Sequence, residues 1–344
     1  MKVTKKKLME MFRCYAASTL TIDGRICPVL ATEGEGAACY FTGADFDERH
    51  FLWEAPGGTM SFVEIPGKPG EFLAVQNFFP TFQAEHSTIV WGRQTAKGGW
   101  DIRTVLDLPY VHRFDILEAD GELYFLGATL CTSKTEKEDW SDPGKVYVGK
   151  LPDAPGEPIE LTVILEGLVK NHGYSRTVWE GRNAALVTCD NGVFLIRPPV
   201  KGGEWAIEQL MDIPTSDIAA LDIDGDGELE LATIAPFHGN TFSIYKKMEG
   251  TYRQVYQYPV VEEFYHVVKA CHLRGVPTIV GGCRRGPKQL FILQWNADTA
   301  SFEATVLDEG VGPSNVDVIN EEGRDVIVSA NRELGEAALY FVED

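Results

Sequence analysis

The chain has 344 residues, 44% of them hydrophobic, and a formal net charge of -20. That length suits two ordinary domains or one large all-β domain, and so acidic a surface repels phosphate backbones and anionic lipid, which excludes nucleic acid and the membrane as partners. No apolar stretch approaches the roughly 20 residues that span a bilayer, and no run of signal-peptide length follows the basic opening MKVTKKKLMEMF.

The predicted elements are strands almost throughout. Short β-rich runs such as Leu123–Leu130, Val146–Val148, Phe194–Ile196 and Gln289–Gln294 are punctuated by Gly, Pro, Asn and Asp. A tight turn between two apolar runs recurs at Asp23-Gly24, Pro69-Gly70, Asp120-Gly121, Glu180-Gly181, Asp224-Gly225-Asp226-Gly227, Arg274-Gly275 and Glu322-Gly323. The interval is roughly 45–60 residues, the size of a four-stranded propeller blade. The spacing predicts one all-β domain over residues 1–344, a β-propeller of about seven four-stranded blades. If strands are lettered A to D from the axis outwards, each repeated turn joins A to B. The last repeat runs through Asn315–Ile319, Asp325–Ser329 and Ala337–Val342 and stops one strand short. The N-terminal segment Lys2–Met9 is expected to supply that strand and close the ring, which removes two exposed edges. The alternatives are a disordered basic tail and, for the whole chain, a pair of β-sandwiches.

Seven cysteines (Cys14, Cys27, Cys39, Cys131, Cys189, Cys271 and Cys283) mostly occupy apolar runs, and none forms a CxxC pair. They read as reduced, packed thiols of a cytoplasmic protein, without a disulfide framework or a zinc site.

The sharpest motif is Asp222-Ile223-Asp224-Gly225-Asp226-Gly227-Glu228-Leu229-Glu230. Carboxylates of Asp222, Asp224, Asp226 and Glu230, with the backbone carbonyl of Glu228, offer oxygen ligands to one hard cation, which favours Ca²⁺. An EF-hand needs a bidentate Glu where Thr233 stands, so that reading is rejected. The motif resembles the DxDGDGxxD/E loop of FG-GAP/VCBS propeller repeats. The resemblance implies a structural Ca²⁺ held by Asp222, Asp224, Asp226 and Glu230; a plain acidic hairpin without metal is the alternative.

The same strand lettering places the B–C loops and the starts of the A strands together on the opposite face. His112, His172, Asp217, His266 and Asn315 are expected to ring the channel mouth there. His86, Lys134, Trp140, His238, Arg284, Arg285 and Arg332 come from the B–C loops, and Arg176, Tyr174 and Tyr265 from the A strands. Imidazoles, cations and aromatics on one face of an acidic chain predict a funnel for an anionic or polar small molecule or oligosaccharide. His112 or His266, with His172 next, would be the base, since histidine titrates near neutrality. Arg284, Arg285 or Lys134 would hold the anion, and Tyr174 or Tyr265 would protonate a leaving oxygen. Several histidines with Asp217 could also bind a second divalent metal in the funnel.

The neighbourhood Tyr110–Ile116 and the general repeat character are also similar to the propeller part of aldos-2-ulose dehydratases, a likeness that transfers no catalytic residue. The expected function is a carbohydrate-active lyase or dehydratase acting on an anionic or oxidised sugar. The alternative is a non-catalytic propeller that binds a sugar or protein partner and carries a structural calcium site.

Overall fold

The computed structural model describes residues 1–80, 82–261 and 263–344. The chain opens with strand β1 (Lys2–Glu10). Blade 1 follows as β2 (Cys14–Ile22), β3 (Arg25–Thr32), β4 (Ala38–Thr42) and β5 (Glu48–Trp53). Blade 2 is β6 (Phe62–Glu64), β7 (Glu71–Gln76), β8 (Thr88–Gln94) and β9 (Trp100–Asp107). Blade 3 is β10 (Val111–Ala119), β11 (Glu122–Thr129), β12 (Gly144–Lys150) and β13 (Thr162–Leu168). Blade 4 is β14 (Gly173–Trp179), β15 (Arg182–Cys189), β16 (Gly192–Arg197) and β17 (Ala206–Met211). Blade 5 is β18 (Asp217–Leu221), β19 (Glu230–Ala235), β20 (Thr241–Met248) and β21 (Thr251–Gln257). Blade 6 is β22 (Tyr265–Leu273), β23 (Val276–Cys283), β24 (Leu290–Asn296) and β25 (Ser301–Asp308). Blade 7 is β26 (Asn315–Glu321), β27 (Arg324–Asn331) and β28 (Glu336–Glu343).

Every pairing between these strands is antiparallel, and the seventh sheet reads β1-β28-β27-β26. The N-terminal strand is therefore the outermost strand of the last blade, as the truncated final repeat predicts. Lys5 fixes it there, its ammonium 3.0 Å from Asp308 and 2.5 Å from Glu336. The A–B turns fall where the repeat places them. Asp120 and Gly121, with φ of 51° and 79°, show why the second turn residue is glycine: consecutive left-handed residues form the tight hairpin whose twist matches its strands.

The apolar core is divided among the interfaces between neighbouring blades. Phe41 and Val328 pack blade 1 on blade 7; Leu117 and Val187 pack blade 3 on blade 4; Phe242 and Phe291 pack blade 5 on blade 6. Both faces of an inner strand are thus covered, so β7, β15 and β27 read as unbroken apolar runs, whereas the outermost β13, β17 and β21 are largely exposed. The innermost strands surround a central channel, and residues near the starts of several of them face it.

Candidate functional site

Three innermost strands begin with the same irregularity. The ladder shifts register between Cys14 and Ala16 in β2, between Val111 and Arg113 in β10, and between Tyr265 and Val267 in β22. The skipped residues are Tyr15, His112 and His266. A bulge leaves one residue unpaired and re-aims its side chain, and here all three meet: the Tyr15 hydroxyl lies 3.2 Å from Nε2 of both His112 and His266. His172 joins from just ahead of β14, its ring centroid 4.5 Å from that of His112. His238 comes from the β19–β20 loop and brings its Nε2 to 3.2 Å from that of His172. Ring nitrogens of His172, His238 and His266 all lie within 4.8 Å of one another.

The protons on these rings can be assigned from their partners. Nδ1 of His112 faces the carbonyl of His172 at 3.3 Å, Nδ1 of His172 faces that of Ser216 at 3.2 Å, and Nδ1 of His266 faces that of Ser314 at 2.6 Å. A carbonyl only accepts, so each ring carries its proton on Nδ1 and turns the Nε2 lone pair inward. Those three lone pairs face two donors, the Tyr15 hydroxyl and Nε2–H of His238. At least one inward nitrogen is left for a metal ion or a further proton.

Burial pushes all four imidazoles well below their usual range. For His172 burial, with the nearby Arg113 charge next, lowers it to about 3. For His266 burial is followed by Arg284, and for His112 and His238 by His172. The rings are neutral near pH 7, the form that ligates metals or accepts a proton. Burial raises the Tyr15 phenol to about 12, which keeps its proton in place.

Above this cluster opens a cavity of about 600 Å³ whose walls include Trp140, Phe237, Phe264, Arg284, Arg285 and Arg332. Arg284 donates to Glu333 at 2.7 and 2.9 Å, and Arg332 donates to Glu333 at 2.8 Å and to Glu33. Arg13 stands 4.0 Å from Glu33. Three guanidiniums against two carboxylates leave one positive charge in excess, on groups whose geometry the carboxylates fix. The Phe264 ring lies beneath Arg284 and Arg285, at 4.3 and 5.6 Å.

A second chamber of about 710 Å³ continues the channel towards the other face and shares Met60 and His266 with the first. Tyr174, Arg176, Asp217 and Asn315 line this chamber rather than the funnel. The Tyr174 hydroxyl donates to Asp115 at 2.9 Å, Arg176 pairs with the same carboxylate, and Asn315 donates to the Tyr15 carbonyl at 2.8 Å. Asp217, 3.7 Å from Arg113, is pushed up to about 6 by burial, which outweighs the arginine. These residues sit within their innermost strands, and each step along a strand carries a side chain about 3.3 Å further down the channel.

Three further expectations are corrected. Tyr265 precedes its bulge, so its side chain falls on the blade face, buried with Phe242 and Phe291. His86 is exposed on the β7–β8 loop and does not line the funnel. Lys134 braces its own loop: its ammonium sits 3.3 Å from the centre of the Trp140 ring and donates to the carbonyls of Lys137 and Asp139. His112, His172, His238, His266, Trp140, Arg284, Arg285 and Arg332 are brought together as predicted. Tyr15, Glu33, Phe237 and Phe264 were missed. For Tyr15 a signal existed, because Cys14-Tyr15-Ala16 stands at the same place in its repeat as Val111-His112-Arg113 and Tyr265-His266-Val267.

At the far end of blade 5, the acidic hairpin joins β18 to β19. Oxygens of Asp222, Asp224 and Asp226 lie within 4.8 Å of one another. Asp222 accepts from the amides of Gly225 and Gly227 at 2.8 and 3.0 Å, Asp226 from Glu228 at 3.0 Å, and buried Glu230 from Ile223 at 2.9 Å. The Glu228 side chain is exposed. Lys246 of β20 reaches the cluster and pairs with Asp224, Asp226 and Glu230.

Residues 215–245 match the FG-GAP repeat. The FG-GAP repeat thus covers β18, β19 and most of β20, and the protein is a seven-bladed β-propeller that carries it in blade 5. No curated protein matches the chain. Among solved structures, the chain is similar to a protein named as a putative 6-phosphogluconolactonase from Bacteroides uniformis, with a TM-score of 0.56 and 10% identity over 93% of this chain and 90% of that one. A second, named in the same way and from Bacteroides fragilis, has a TM-score of 0.56 and 9% identity over 92% and 88%. At such identity the likeness establishes the fold alone.

Proposed function

We propose that the funnel above the four histidines is the active site of a carbohydrate-active lyase or dehydratase, acting on an anionic or oxidised sugar. The observation that carries this reading is the surplus of inward imidazole lone pairs over protons at the floor of a cavity walled by arginines. His172, His266 and His238, the last with its proton moved from Nε2 to Nδ1, would hold a first-row divalent cation, for which neutral imidazoles are suitable ligands. When bound, such an ion polarises a carboxylate or carbonyl oxygen and acidifies the adjacent C–H.

The chain's own residues supply the rest. Arg284 and Arg332, held by Glu333 and Glu33, orient the substrate's anionic group without reorganising. Trp140, Phe237 and Phe264 offer apolar faces to a sugar ring. His112 takes the proton on Nε2 as the C–H bond breaks. The released electron pair forms a C=C bond while the β C–O bond breaks, and the imidazolium returns its proton to the leaving oxygen through the Tyr15 hydroxyl. The names carried by the two similar structures also suit a small sugar-acid ligand. The seven cysteines, none of them in a disulfide among the described residues, suit a reducing, cytoplasmic setting.

The test is an elimination assay. Chelator-stripped protein is reloaded separately with Mn²⁺, Zn²⁺ or Mg²⁺ and offered a panel of uronate oligosaccharides and 2-ulose sugars. New ultraviolet absorbance from a conjugated C=C, lost in His112→Ala and His266→Ala, is expected. Ligand-induced thermal shifts without any absorbance change would return the funnel to a non-catalytic binding role, and neither signal on the whole panel would refute the proposal.

A further inference from the structure

The structure assigns Lys246 as the resident cation of the FG-GAP loop, standing where repeats of this kind hold calcium. Its ammonium contacts one oxygen of Asp224, lies 2.8 Å from Asp226 and lies 3.0 Å from Glu230. An ammonium has three protons, and here it has three carboxylates. The placement follows from strand register rather than from a swing of a free surface side chain. Leu231 pairs with Tyr245 across β19 and β20, so the next step of that ladder sets Lys246 beside Glu230. The lysine side chain is only 20% exposed and Glu230 only 2%. Oε1 of buried Glu230 faces that ammonium, which is its counter-charge.

The residues do not fit calcium with that lysine in place. Ca²⁺ needs about six to eight oxygens at roughly 2.3–2.6 Å. Three of the four side chains that the motif offers are those Lys246 already holds. The fourth, Asp222, accepts from the amides of Gly225 and Gly227 and by itself falls far short of that number. A calcium ion at the focus of Asp224, Asp226 and Glu230 would collide with a like charge, and expelling it would strand a long cation against a buried wall. The repeat has kept the acidic curl and internalised its counter-ion, so the hairpin needs no calcium to fold.

The experiment is a calcium titration of the full chain after chelation and dialysis, which remove any metal carried over from expression. Calcium is used because nitrogen ligands select against it, so the funnel does not contribute to the readout. With about 5 mM CaCl₂, above the weakest range for such loops, the wild-type melting temperature is expected to stay within about 1 °C. Lys246→Met in the same buffer is expected to melt several degrees lower and to recover part of that loss with calcium. A wild-type protein that gains several degrees on calcium addition overturns the assignment. So does a Lys246→Met protein as stable as wild type without calcium. Should the variant fail to fold, calorimetric titration of the wild type decides alone: heat of binding with micromolar affinity refutes the proposal, and no heat supports it.

Discussion

The hydroxyl of Tyr15 lies 3.2 Å from Nε2 of His266, although the two residues belong to blades 1 and 6. The same hydroxyl is 3.2 Å from His112, and its one proton serves only one of them at a time. Replacing Tyr15 with Phe removes that proton and leaves two buried acceptors facing each other. The metal-free variant is expected to lose about 1–3 kcal/mol of stability, the cost of unsatisfied buried polar groups. Urea denaturation of chelated wild type and variant measures it; equal midpoints would show that the hydroxyl contributes nothing to the cluster.

The histidines make the metal-free protein acid-sensitive. His172 falls from 6.5 to about 3 on folding, chiefly through burial. Between those values the unfolded chain holds a proton that the folded chain does not. Stability therefore rises with pH across that window, by about 1.4 kcal/mol per unit for each such group, and is lost as pH falls from 6.5 towards 3. Asp217 opposes this. Raised from 3.8 to about 6, it holds its proton in the folded state across that range while the unfolded chain has lost it, so its contribution declines as pH rises. Four lowered histidines outweigh one raised aspartate. Denaturation midpoints should fall steadily below about pH 6.5, and more steeply in Asp217→Asn, which lacks the opposing group. A midpoint that does not change with pH in this interval contradicts the assigned neutrality of the rings.

The guanidinium of Arg284 is 7% exposed and owes its place to Glu333. Glu333→Ala would leave that charge buried without its partner, at a cost of about 3–5 kcal/mol. Arg284→Met removes the charge together with its desolvation penalty and should cost far less. Thermal or chemical denaturation of both variants gives the comparison, and an equal loss in the two would mean that the pair itself carries the stability. Both variants should weaken binding of an anionic sugar.

Closure of the ring rests on β1. Deleting residues 1–10 strips β28 of its outer partner, frees Asp308 and Glu336 from Lys5, and uncovers apolar contacts made by Val3, Leu8 and Met9. At about 1.5–3 kcal/mol for each fully buried apolar side chain, partial burial of three predicts a loss of at least about 3 kcal/mol. The bare edge should also pair with other chains. Size-exclusion chromatography and melting of the truncated protein test both consequences; a monomer that melts with the full-length protein would show that the ring closes without the strand.

The sequence by itself determined the ring. Paired turns at a blade-length interval and apolar runs of strand length are local features, and local geometry follows from glycine and β-propensity without reference to distant residues. It also determined which face each loop occupies, because strands alternate in direction, and so His112, His172, His238 and His266 could be placed together in advance. Only the tertiary structure decided depth along the axis. One residue along a strand separates Tyr265, buried in the blade interface, from His266 at the centre of the channel, and a bulge makes that difference. The assembled fold likewise brought Tyr15 to two histidines and Lys246 into an acidic curl, because those contacts depend on register between strands that the sequence pattern does not specify.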